Sequence, residues 1–180
     1  MQKNVLIISA SLRQNSNSEK LAQAFAQGAK DAGNEVLTVS LKGKNVAFCR
    51  GCMACQKLGK CVMNDDANTL ADLICSSDVV VWTTPIYYYE MSGQMKTLID
   101  RANSLYARDY RFRDVYLLSC AADDAGGADA GAVKGVQGWI DCFENARFAG
   151  KVFAGGVDAP GSIERHPALT EAYEMGKNIR

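Results

Sequence analysis

The sequence predicts an α/β fold: a three-layer α/β/α sandwich around a five-stranded parallel sheet. Two observations carry this. Short, continuous apolar runs alternate five times with helical patterns, as strands buried on both faces and their crossover helices require. In addition, polar loops follow the runs at their carboxyl ends, where open sheets of this kind bind ligands. The first run, Val5 to Ser9, is followed by an amphipathic helix from Ser18 to Ala32 with Gly33 as its stop. Glu35 to Val39 is the second strand, and Leu41 to Asn64 has no clear period. Asp65 to Ser77 reads as a helix capped by Asp65 or Asp66. Asp78 to Thr84 is the third strand, ended by Pro85, and a helix follows from about Ser92 to Leu105. Asp114 to Cys120 is the fourth strand, followed by an acidic, glycine-rich loop and a helical pattern reaching Ala146. Lys151 to Gly155 is the fifth, and Pro167 opens a terminal helix. No repeat or linker interrupts the 180 residues, so one domain is expected.

Composition narrows the function. Twenty basic and twenty acidic residues balance, which argues against nucleic acid or a membrane surface as partner. The apolar run from Val5 to Ala10 is too short for a signal peptide, and no run approaches the roughly 20 residues of a membrane span. A reducing cytoplasm is therefore expected, and the seven cysteines are read as thiols rather than disulfides. With a single histidine, His166, neither a typical zinc enzyme nor a histidine-dependent hydrolase is favoured. The chemistry belongs to a cofactor.

Two loops describe that cofactor. Ser9 to Ser18 is neither a GxGxxG nor a Walker A loop, but it is dense in hydroxyls and amides and carries Arg13. It opens a helix, whose free N–H groups and dipole favour an anion. An ordinary polar turn with Ser16, Asn17 or Ser18 as N-cap is the alternative. After the third strand, Thr84-Pro-Ile-Tyr-Tyr-Tyr89 offers aromatic rings and an apolar wall to a flat conjugated ligand. A tyrosine cluster packing the loop or a subunit contact is the alternative there. Together the two loops describe a mononucleotide with a large planar ring, FMN.

These loops, with Gly93-Gln-Met-Lys-Thr-Leu-Ile-Asp-Arg101, resemble the NAD(P)H-dependent FMN reductase and iron–sulfur flavoprotein family over roughly the first 105 residues. The resemblance implies a flavodoxin-like fold with strand order 2-1-3-4-5. It assigns the FMN phosphate to Ser9, Ser11, Arg13, Ser16, Asn17 and Ser18. Pro85, Ile86, Tyr87 and Tyr88 would line the isoalloxazine, and Ser119, Cys120, Ala121 and Asp123 would form a third loop beside it. Ala10 and Leu12 depart from the family, which often has Gly and Pro at these places. The implied activity is hydride acceptance from NAD(P)H and electron delivery to a small-molecule or protein acceptor, in a homodimer or homotetramer. The flavin carries the chemistry, so no catalytic side chain is assigned.

Cys49-x2-Cys52-x2-Cys55-x5-Cys61 is the sharpest motif. Compact spacing with a fourth nearby thiol is what wrapping an iron–sulfur cube requires, and the iron–sulfur flavoproteins use such an arrangement for a [4Fe–4S] cluster. An electron carrier with that cluster is the second reading. Zinc on the four thiolates, or plain thiols, are the other readings of the motif. A non-enzymatic, metal-stabilised α/β binding module is the rival from another class. Cys75, Cys120 and Cys142 are read as small core residues, and Asp65-Asp66 as helix caps. Lys96 and Asp100 form an i,i+4 surface pair, and His166 stands at a helix start. The loop from Asp123 to Gly131 is either a lid over the flavin or an ordinary exposed loop.

Overall fold

The computed structural model describes residues 1–180. In chain order the elements are β1 (Asn4–Ser9), α1 (Asn17–Asp31), β2 (Glu35–Ser40), the single-turn α2 (Cys55–Leu58), α3 (Asp66–Ser76) and β3 (Val79–Tyr87). Then come β4 (Glu90–Met91), α4 (Gly93–Arg101), β5 (Asp114–Cys120), α5 (Ala130–Ile140), β6 (Arg147–Ala154) and α6 (Ala168–Lys177). Short 3₁₀ turns cover Ala102–Ala107 and Ser162–Arg165.

Five of the strands form a parallel sheet in the order β2-β1-β3-β5-β6, which is the expected 2-1-3-4-5 order of the five long runs. The sixth strand, β4, pairs antiparallel with the end of β3, so the strand count exceeds the expected five by one short hairpin arm. Val5 to Ile8 of β1 and Val79 to Trp82 of β3 are almost wholly buried, which is why they read as unbroken apolar runs. β2 is an edge strand and stays half exposed.

β3 also runs two residues beyond Pro85, where the sequence suggested a stop. The Thr83 carbonyl accepts from Ala10 N (2.8 Å) on the β1 side. Pro85, two residues on, faces that same side, but the β1 ladder has ended at the Ser9–Thr83 pair. Its missing N–H therefore interrupts no ladder bond, while pairing with β5 continues through Pro85 and Cys120. The α4 helix is shorter than its apolar period suggested: past Arg101 it tightens into a 3₁₀ turn at Asn103 and Ser104, residue types that suit a helix interior poorly. α5 similarly stops at Ile140 because the chain must turn at Asn145, whose N–H donates to the Tyr110 hydroxyl (3.1 Å), before β6 starts at Arg147.

Two apolar cores lie on opposite faces of the sheet. One gathers Trp82, Phe112, Trp139 and Phe143 with α3, α4 and α5. The other packs Leu21, Phe25 and Ala29 of α1 against Ala168 and Ala172 of α6. Cys75 and Cys120 are buried as expected, whereas Cys142 is exposed just past the end of α5. Its thiol donates back to the Gly138 carbonyl (3.3 Å), so it caps a surface turn rather than filling the core.

α1 and α6 cross with their backbones in direct contact. A Cβ on Gly28 would collide with the Tyr173 carbonyl, and one on Gly176 with the Phe25 carbonyl. Backbone atoms cannot swing aside as a flexible side chain can. Gly28→Ala is therefore expected to destabilise the protein by about 1–3 kcal/mol or more, despite alanine's better helix propensity. Urea denaturation of the two proteins measures this; an unchanged midpoint would show that the helices can separate freely.

Candidate functional site

Because the five long strands are parallel, the loops after β1, β3, β5 and β6 meet at one edge. They enclose a cavity lined by Ser11, Arg13 and Ser16 from the first loop, Asn17 and Ser18 from the start of α1, Pro85, Ile86 and Tyr87 from β3, Cys120 at the end of β5 with Ala121 after it, and others. The polar cradle and the apolar shelf thus face one space.

The cradle is built locally. Asn15 takes a positive φ of 50°, turning the chain into α1. Ser16 then caps the helix: its Oγ accepts from Glu19 N (3.1 Å) and lies 3.4 Å from Ser18 Oγ. The first turn leaves N–H groups without intrahelical acceptors. Arg13 reaches across the cavity and donates to the Asp158 carbonyl (2.8 Å), bringing its charge to the rim. Asn17 lines the same space, but its amide is engaged elsewhere. Nδ2 donates to the carbonyls of Val157 (3.2 Å) and Ala159 (3.0 Å), and Oδ1 accepts from Ile163 N (3.3 Å). Its visible work is to fasten the loop after β6 to the start of α1.

At the shelf, β3 and β4 form a tight hairpin whose two tip residues, Tyr88 and Tyr89, both have positive φ, 51° and 66°. Such a turn prefers Asn-Gly, so two tyrosines there are strained. The hairpin is held by the Tyr89 hydroxyl donating to Asp123 Oδ2 (3.2 Å) and by Gly131 of α5, where a side chain would strike the Tyr89 carbonyl. Only Tyr87 of the three tyrosines lines the cavity; Tyr88 stands fully exposed at the tip.

Four expected residues lie outside the lining. Ser9 is buried behind the loop, Ser119 is buried with its hydroxyl 3.4 Å from Asp129 Oδ2, Tyr88 is at the hairpin tip, and Asp123 serves as the hairpin's anchor. Conversely, Ala122, Val157 and Asp158 line the cavity without having been singled out. The turn residues Gly155-Gly156 and Pro160-Gly161 after the fifth strand were the available signal for the last two. Cys120 sits at the cavity's base, and burial pushes its thiol up to about 11 despite hydrogen bonds with Ser18. It stays neutral at physiological pH and adds no negative charge beside an anion cradle.

A second cavity lies in the aperiodic segment after β2. All four clustered cysteines line it, with Met53, Arg101 and Asn103 among the others. No three Cys, His, Asp or Glu side chains are placed to hold a single metal ion. Three of the sulfurs instead accept N–H groups: Cys49 from Gly51 N (3.4 Å), Cys55 from Asn103 Nδ2 (3.8 Å) and Cys61 from Arg101 Nη2 (3.3 Å). Four thiols lining one space are the donor set that an iron–sulfur cube takes, each thiolate binding a different iron.

The segment is pinned at both ends. Of the two expected caps it is Asp65 that caps α3, accepting from Ala67 N (3.1 Å), and it also takes a buried, two-armed bond from Arg101 (2.6 and 2.8 Å). Both side chains are nearly inaccessible, 1% and 6%. Arg101 further donates to the Ala47 carbonyl (2.7 Å), and Asn68 brackets Cys61 through its N–H (2.9 Å) and carbonyl (3.1 Å). Among the minor expectations, Lys96 and Asp100 do meet at 2.6 Å on the surface, and His166 Nδ1 accepts from Ala168 N (3.1 Å) at the start of α6.

The Arg101 hydrogen bond holds the Asp65 carboxyl below its ordinary value of 3.8. A depressed carboxylate contributes stability that is present above that ordinary value and lost as pH falls through the lower, folded one. Asp65→Asn, which leaves Arg101 buried and unpaired, is expected to cost about 3–5 kcal/mol at neutral pH. It should also flatten the loss of stability below pH about 4. Denaturation midpoints across pH 2 to 7 check both, and wild-type-like stability of the variant would contradict them.

A family model described as NADPH-dependent FMN reductase matches residues 3–133. An iron-sulfur flavoprotein of Archaeoglobus fulgidus is 37% identical over 94 residues, 52% of this chain and 43% of that protein. An iron-sulfur flavoprotein of Methanosarcina thermophila is 28% identical over 168 residues, 93% of this chain and 85% of that protein. Against several curated relatives, the match spans only about half of their length. The fold is that of an NAD(P)H:quinone oxidoreductase from Methanothermobacter marburgensis, with a TM-score of 0.75 at 18% identity, covering 99% of this chain and 96% of that one.

Proposed function

The chain belongs to the NADPH-dependent FMN reductase family, and on that premise we propose that it is an FMN-dependent oxidoreductase fed by NAD(P)H. The observation that carries the proposal is the single cavity on which the serine loop and the Pro85-to-Tyr87 shelf converge. When bound, FMN supplies hydride acceptance and release of the electrons to a small-molecule or protein acceptor. The protein supplies binding and orientation. The first turn of α1, Ser16 and Ser18 receive the phosphate, and Arg13 balances its charge. Pro85, Ile86 and Tyr87 present an apolar wall that keeps water from one face of the ring system. The neutral Cys120 leaves the phosphate end free of a competing negative charge.

The fully exposed Tyr88, beside the shelf, supports a homodimer or homotetramer with subunits meeting near the flavin. Seven free thiols support a reducing, cytoplasmic setting. No helix is long and apolar enough to cross a membrane.

Purified protein incubated with FMN is expected to retain it on gel filtration and to lose the oxidised flavin absorbance on anaerobic addition of NADPH or NADH. Arg13→Ala should weaken FMN binding at least about tenfold, or about 1.4 kcal/mol. A protein that takes up no FMN would overturn the proposal.

The second reading adds a [4Fe–4S] cluster on Cys49, Cys52, Cys55 and Cys61. It is favoured by the four thiols lining one cavity and by the name of the Methanosarcina thermophila relative, whose match takes in 93% of this chain. Anaerobic reconstitution with iron and sulfide should then add broad visible absorbance with about four irons per chain, lost in Cys49→Ser. Iron that washes out on desalting would sink this reading.

A further inference from the structure

The thiol cavity is not lined by cysteines alone. Arg101 sits at the end of α4 with a side chain only 1% exposed, an expensive place for a charge. Its two terminal nitrogens divide the work. Nη1 meets Asp65 Oδ2 and the Ala47 carbonyl, while Nη2 meets Asp65 Oδ1 and Cys61 Sγ. One guanidinium thus ties together the start of the cysteine segment, its last cysteine and the cap of α3. Asp65 alone would satisfy a lysine. The branch that reaches Cys61 needs a planar fork.

We propose that Arg101 is a positioning residue that holds Cys61 in place and, through its N–H to that sulfur, raises the reduction potential of a cluster bound in the cavity. The proposal rests on the iron–sulfur reading given above. Its physical basis is that an N–H and a positive charge beside a thiolate stabilise the reduced, more negative cluster relative to the oxidised one. Asn103, two residues on, supplies a longer and uncharged contact to Cys55 and would act in the same direction more weakly.

Arg101→Lys separates the two functions of the side chain. Lysine keeps a charge against Asp65, so the fold is supported, but its single nitrogen cannot also reach Cys61. Wild type and variant are reconstituted anaerobically, assayed for iron per chain, and then titrated with dithionite at equal cluster concentration, the reduced cluster being followed by electron paramagnetic resonance. The expected result is a lower potential in Arg101→Lys, with circular dichroism unchanged. A folded variant that assembles less cluster than wild type also supports the positioning role. Equal potentials and equal iron content overturn it while leaving the iron–sulfur reading intact. A wild type that assembles no cluster overturns both. Should the variant not fold, the same contact is tested with Arg50→Ala protein, which lacks the other arginine lining the cavity, carrying arginine with ¹⁵N in the guanidinium. A ¹⁵N coupling to the reduced cluster's spin supports it, and absence of coupling overturns it.

Discussion

When every long strand of a sheet points the same way, each chain segment that follows a strand must leave from the same edge. That directional constraint organises this molecule. The loops after β1, β3, β5 and β6 differ in sequence, yet the ladder delivers them to one cavity. The detail depends on unequal strand lengths. β1 leaves the sheet at Ser9 while β3 continues to Tyr87, and the gap opened beside Pro85 becomes the space between cradle and shelf. An anion site at a helix start and an apolar wall on an extended strand are each common. Their convergence follows from topology, not from either segment alone.

A different physical device shapes the cysteine segment. It has almost no regular structure and little buried apolar surface, so hydrophobic packing cannot fix it. Instead, one buried charge pair and the Asn68 amide take over that task. Such pairs are poor sources of net stability but strong sources of geometry, since breaking them strands a charge. The segment's middle remains exposed while its ends are tied down by these bonds.

The features legible in the sequence were those governed by local periodicity. Unbroken runs such as Val5 to Ile8 announced buried parallel strands, and the polar residues Ser16 to Ser18 announced a helix start without saying which of the three caps it. Other features were set by distance along the chain. The pairing of Asp65 with Arg101 joins residues 36 apart, so the sequence showed the cap and hid the ion pair. Asn17's role likewise depends on carbonyls some 140 positions away. The extra hairpin arm was too short to show a period, and it hid Tyr88's displacement to the tip. Pro85 read as a stop because a central strand normally needs its N–H; only the early departure of β1 makes it harmless.

The crossing of α1 and α6 also bears on how the chain is made. Synthesis is vectorial, and α1 leaves the ribosome long before the helix that crosses it, Ala168–Lys177. Until then Phe25, Ala29 and their neighbours have only the strands to cover them, and the backbone contacts at Gly28 and Gly176 cannot form. The side of α1 that α6 covers therefore stays uncovered while the strands are being laid down, an interval in which a chaperone has apolar surface to hold.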